Sequence, residues 1–144
     1  MRISSPAVSS VPTALAAALV VDDDATLRSA VAEQLGMLGV GTVHTAGSAA
    51  EALELCRRYR GIIEVAFVDL VMPRQSGATL LEDLRAQADA PAVVLMSGYF
   101  SSWEQPLPAG VIERLEKPFG FEELEGCLSL VAHARLHGLA RAAR

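Results

Sequence analysis

The chain alternates short apolar runs with longer segments whose apolar residues recur at helical spacing. Leu19-Val20-Val21, Val65-Ala66-Phe67-Val68 and Ala92-Val93-Val94-Leu95-Met96 are uninterrupted runs. Each is too short for a helix and reads as a strand buried on both faces. The first closes a strand from Leu15, and Val111 to Leu115 supplies a fifth strand. Gly41 to Ala46 is a weaker run whose composition suits a sheet edge.

The intervening segments predict helices. Asp24 can cap the first, which carries Leu27, Val31, Leu35 and Leu38 on one stripe and stops between Gly36 and Gly39. Ser48 caps a second, Ala49 to Tyr59, with Glu51 at the capping-box position. Pro73 and Gly77 interrupt regular structure before a third helix, Thr79 to Ala88, with Leu80, Leu81, Leu84 and Ala88 inward. Pro106 and Pro108 limit the segment 99–110 to two helical turns. A last helix begins with Glu122 and Glu123 in its first turn, runs to about His137 and closes at Gly138.

Strands alternating with helices through short loops predict an α/β fold: a parallel sheet with helices on both faces. Right-handed crossovers leave few topologies. Five βα units fit the flavodoxin-like doubly wound order 2-1-3-4-5. That order makes strands 1 and 3 neighbours, so Asp22, Asp23 and Asp69 meet at their carboxyl ends.

Composition narrows the picture further. A chain of 144 residues is expected to form one domain, spanning residues 15–138. Residues 1–14 and 139–144 have the composition of tails. No apolar run approaches the ~18 residues of a membrane helix, and the early small-residue stretch does not carry the basic start of a signal peptide. The cytoplasm is the expected location. A net charge of −5 argues against direct DNA binding, although Arg135, Arg141 and Arg144 make the C-terminal end basic. Cys56 and Cys127 fall on apolar helical faces and read as core thiols. His133 and His137 share a helical face at metal-ligand spacing but have no evident third ligand.

Carboxylates converging within ~4 Å repel by roughly 4 kcal/mol per pair at an effective dielectric near 20. A fold that maintains them implies a cation, and few all-oxygen protein ligands with room for water favour Mg²⁺. Beside a lysine and a hydroxyl, such an ion makes a cradle for a phosphoryl group, and Asp69 could itself attack phosphorus.

Four motifs in order carry a family likeness: Val20-Val21-Asp22-Asp23, Asp69-Leu70-Val71-Met72-Pro73 with Gly77, Met96-Ser97-Gly98, and Lys117-Pro118-Phe119. Over about residues 15–137 the chain resembles the receiver domain of bacterial two-component response regulators. The resemblance implies that Asp69 accepts phosphate from a phosphohistidine on a sensor histidine kinase or a histidine phosphotransfer protein. It implies Mg²⁺ held by Asp23, Asp69 and the backbone carbonyl of Val71, with Asp22 acting mainly through water. Ser97 would bond one phosphoryl oxygen and Lys117 another. Lys117-Pro118 would be a cis peptide, and Val71 and Tyr99 would tune the phosphate's lifetime, with a lean toward slow loss.

The chain departs from the family pattern in two ways. Receivers usually carry an aromatic three residues before the lysine, where this chain has Arg114. Tyr99 could replace it by position, and signalling would then pass through a rearranged segment 99–110. No output domain is expected after Gly138, which predicts a stand-alone, chemotaxis-receiver-like regulator that docks to another protein or relays phosphate, with homodimerisation open. The Leu95 to Tyr99 stretch, similar to receivers of hybrid kinases, favours the relay. The runner-up is a phosphorylation-independent docking domain. A haloacid-dehalogenase-type phosphatase would use Asp22 and Asp24, but it leaves Asp69 without a purpose and the chain has no room for a cap. A flavodoxin-type nucleotide binder would need a phosphate loop where the three aspartates stand.

Overall fold

The computed structural model describes residues 15–72, 77–98 and 107–136. Five parallel strands form one sheet in the order β2-β1-β3-β4-β5. They are β1 (Ala17–Val21), β2 (Thr42–Ala46), β3 (Ile63–Asp69), β4 (Ala92–Ser97) and β5 (Val111–Glu116). Four helices occur among the described residues: α1 (Ala25–Met37), α2 (Ala49–Arg58), α3 (Gly77–Arg85) and α4 (Phe121–Leu136). The predicted flavodoxin-like order is thus the observed one. The expected turns after β4 fall at 99–106, outside the described residues, and Ala109 and Gly110 form a turn leading into β5.

Alternation along the three central strands divides the core into two layers. Ala18, Val20, Val65, Phe67, Val94 and Met96 face α1 and α4, where they meet Val31, Leu35, Leu124 and Leu128. Their neighbours Leu19, Val21, Ala66, Val68 and Leu95 face α2 and α3, packing on Ala52, Leu80, Leu81 and Leu84. A period of two with apolar residues at every position is what a sheet covered on both sides requires. Each fully buried Val, Leu or Phe side chain contributes about 1.5–3 kcal/mol relative to leaving it in water. β2 is an edge strand with only Ala46 buried, as its weaker composition predicts.

The helix starts follow their capping chemistry. The Asp24 carboxylate accepts from the Thr26 and Leu27 amides, which commits that side chain to the start of α1. Ser48 Oγ accepts from Glu51 N–H, while Glu51 Oε1 reaches past Ser48 to the Gly47 amide at 2.9 Å. α1 runs through Gly36 and ends as Gly39 turns left-handed at φ 101°. Two predictions around α3 fail. Gly77 is the first residue of the helix rather than a break before it. Ala88 is exposed, because α3 ends at Arg85 and Asp89, at φ 56°, turns the chain ahead of Pro91.

At the amino ends of the strands, Glu64 forms a clamp that sequence patterning missed. Its Oε1 accepts the Ala16 amide at 2.6 Å, and its Oε2 lies 3.6 Å from Arg135 Nε. Arg135 also donates to the Glu64 carbonyl at 3.1 Å. Thus the lead-in to β1 and the last turn of α4 are fastened to β3.

Nearby, Gly41 brings β2 against β1, and a Cβ there would stand 2.8 Å from the Ala16 carbonyl oxygen. Backbone cannot yield as a flexible side chain can. Gly41→Ala is expected to cost about 1–3 kcal/mol, the usual range for overpacking. Urea unfolding should show a lower midpoint at unchanged slope; an unchanged midpoint would mean the edge strand gives way freely.

Candidate functional site

The carboxyl ends of β1, β3, β4 and β5 meet at one edge of the sheet. β1 ends at Val21, and the two acids that follow part company. Asp22 is fully buried and Asp23 is exposed. Every polar atom of Asp22 is engaged. Its amide donates to the Ala46 carbonyl at 3.1 Å, and its own carbonyl accepts from Arg28 Nη1 at 2.7 Å. Its Oδ1 accepts the Asp24 amide and its Oδ2 accepts Lys117 Nζ, each at 2.9 Å.

Asp69 is the last residue of β3, in register with Met96 of β4. Its Oδ1 accepts the Val71 amide at 3.2 Å, and its Oδ2 lies 3.5 Å from Lys117 Nζ. Lys117 directly follows β5, where its own amide donates to the Ser97 carbonyl at 2.9 Å. The Lys117-Pro118 bond is cis, as expected. Ser97 closes β4 and is buried. Val71 is exposed beside Asp69. Tyr99 lies outside the described residues. Arg114 is exposed on β5 and lines an open cleft of about 620 Å³ shared with Lys117, Cys127 and Leu130.

Carboxylate oxygens of Asp22, Asp23 and Asp69 all lie within 4.8 Å of one another. The adjacency predicted from strand order is therefore present. Asp24 stays out of the group, since its carboxylate caps α1. Both cysteines are buried, and burial pushes the Cys56 thiol up to about 11. His133 is exposed, and its partner in the sequence pattern, His137, lies outside the described residues.

Electrostatics set the character of this cluster. Burial raises the Asp69 pKa above its ordinary value, the Val71 amide opposes this, and the charge of Asp22 adds to the rise. Lys117 pulls Asp69 back down, and Asp23 pushes it up again. For Lys117, burial acts to lower the pKa, but the hydrogen bond it donates to Asp22 and the charge of Asp69 outweigh it, so its net shift is upward. The two shifts do not mirror one another because the lysine's shorter contact is to Asp22, leaving Asp69 less compensated. The ammonium pairs with Asp22 and Asp69, while Asp23 completes a group of three carboxylates. A hard divalent cation suits such an all-oxygen set.

Sequence patterning found the acids and the lysine but missed Arg28. Its signal is faint: an arginine one turn into the helix that follows the acidic pair. Its contact is to main chain, which no side-chain motif encodes.

Comparison with known proteins agrees with this geometry. Residues 18–129 match the family described as the response regulator receiver domain. The sensor kinase CckA of Brucella abortus is 34% identical over 111 residues, covering 76% of this chain and 12% of that protein. The two-component response regulator PhoP of Pseudomonas aeruginosa is 34% identical over 113 residues, covering 77% of this chain and 49% of PhoP. The chain thus spans half or less of these curated relatives. Among solved structures, a CheY-like receiver domain from Methylobacillus flagellatus superposes with a TM-score of 0.73 at 28% identity. That superposition covers 82% of this chain and 99% of the other. Among the described residues, no helix is long and apolar enough to cross a membrane. With its strand order, acid cluster and matched length, the chain belongs to the response regulator receiver domain family of two-component systems.

Proposed function

We propose that this receiver accepts a phosphoryl group on Asp69 from a phosphohistidine of a sensor histidine kinase or histidine phosphotransfer protein. The observation that carries the reading is the convergence of Asp22, Asp23 and Asp69, two of them paired with Lys117. In the transfer, an Asp69 carboxylate oxygen bonds to phosphorus as the P–N bond breaks. The imidazole nitrogen leaves with the bonding electron pair, and the ring's second nitrogen carries the proton that keeps it neutral.

Asp23, Asp69 and the Val71 carbonyl would hold Mg²⁺, with Asp22 acting mainly through water, and the ion when bound would offset negative charge on the phosphoryl oxygens. Lys117, 3.5 Å from Asp69, would pair with a phosphoryl oxygen. Ser97, closing the neighbouring strand, supplies a hydroxyl for another. The exposed Val71 side chain, close to Asp69 in the chain, hinders attack by water on the acyl phosphate and slows its loss. The protein acts in the cytoplasm, passing the signal to a downstream protein without binding DNA itself. Arg114 in place of the usual aromatic routes switching through residues 99–110.

The direct test is intact mass after incubation with acetyl phosphate and Mg²⁺. A single added phosphate on the wild type and none on Asp69→Asn is expected. Labelling of both proteins would place the phosphoacceptor elsewhere. Failure to label with either acetyl phosphate or a phosphorylated histidine phosphotransfer protein would turn the reading toward a docking domain.

Stability gives a second check. Asp69 binds its proton more tightly in the folded chain, so its ionised form opposes folding above the ordinary carboxylate range. That cost fades as pH falls through the raised folded-state value and is gone below the unfolded value, near 4. Asp69→Asn should therefore melt higher than the wild type at pH 7 without metal, with the difference closing as pH falls toward about 4. A variant that melts lower at pH 7 would show the carboxylate to be a net support. Magnesium should raise the wild-type melting temperature, by the equivalent of about 2.7 kcal/mol at ~100 times its Kd.

A further inference from the structure

Asp22 contributes to the cluster from a position where its backbone is as constrained as its side chain. We infer that Arg28 is a positioning residue for the acidic pair, holding the Asp22 main chain so that its carboxylate faces Asp69 and Lys117. The inference rests on the cation-binding reading of the cluster.

Three observations converge on it. Arg28 Nη1 donates to the Asp22 carbonyl at 2.7 Å, the shorter of the two main-chain hydrogen bonds that fix this residue. Arg28 is itself anchored, since its amide opens α1 by donating to the Asp24 carbonyl at 2.9 Å. The third concerns Gly47, in the loop between β2 and α2. A Cβ there would lie 3.0 Å from Arg28 Nη1 and 3.6 Å from its Cζ. The glycine leaves room for the guanidinium, which is therefore seated between two loops at the site's rim rather than free in solvent. Gly47 follows Ala46, whose carbonyl accepts the Asp22 amide, so the same loop fixes Asp22 from its other side.

The arginine has two possible influences on a bound cation, and they have opposite signs. As a positive charge near the cluster it would oppose cation binding, so removing it would tighten binding. As a brace on Asp22 it would favour binding, and removing it would loosen it. The short, two-sided seat makes the brace dominant. Arg28 then stands to the site as an outer-shell partner stands to a metal ligand, a role whose loss typically weakens metal affinity by about 10–100-fold.

The test measures Mg²⁺ affinity from melting temperature against Mg²⁺ concentration, for the wild type, Arg28→Ala, Gly47→Ala and the double variant. Arg28→Ala should weaken Mg²⁺ binding by about tenfold, the lower end of that range. Gly47→Ala keeps the charge but displaces the guanidinium, and should weaken binding in the same direction. In the Arg28→Ala background, Gly47→Ala should add little, because its effect runs through the arginine. Arg28→Gln, which keeps a donor without the charge, should recover part of the affinity and serves if Arg28→Ala fails to fold. Tighter binding in Arg28→Ala or Arg28→Gln would show the charge, not the brace, to be in control. Unchanged affinity with a lowered melting temperature would make the arginine a structural residue only, and additive effects would separate Gly47 from it. A wild type whose melting ignores Mg²⁺ would remove the cation-binding reading and this inference with it.

Discussion

Holding three carboxylates together, two of them buried, is the constraint on which the rest of the structure depends. At separations near 4 Å and an effective dielectric near 20, each like-charged pair costs roughly 4 kcal/mol. A single lysine cannot neutralise three acids. The sheet supplies the remaining hold. Asp22 and Asp69 sit at the ends of adjacent strands whose residues are almost all buried, so they cannot drift apart without disturbing both core layers. Lys117 comes from β5, two strands from Asp69, and reaches back across the carboxyl edge. The fold is thus a device for keeping like charges close and leaving them in want of a cation.

Much of this was legible in the chain. Strands β1, β3 and β4 announce themselves because burial on both faces permits no polar interruption, and the strand order followed from five βα units with right-handed crossovers. Asp24 and Ser48 were readable as caps because capping is a local hydrogen-bond geometry with a strong residue preference. Failures came where local preference is weak. Gly77 looked like a breaker, yet the helix begins on it; Ala88 looked inward by spacing, yet α3 had ended three residues before it.

The site divides along the same line. The acids and the lysine are chemically expensive to bury, so their types at strand ends were informative. Arg28 and Glu64 were not, because arginine one turn into a helix and glutamate near a strand's start are ordinary on a surface. Only the fold shows that one meets the Asp22 carbonyl and the other joins Ala16 to Arg135. Val71 carries information of another kind: a large apolar side chain, 54% exposed beside a buried carboxylate, contributes little to packing.

The Glu64 clamp bears on the order in which the molecule can be finished. A nascent chain presents β1 first, yet the arginine that completes the fastening at its base is made 71 residues after Glu64. Until the last turn of α4 leaves the ribosome, the strand that carries the acidic pair has its lead-in only half secured. Completion of the final helix is therefore felt at the first strand, and the carboxylate-bearing edge reaches its settled form only when nearly the whole described chain is free to fold.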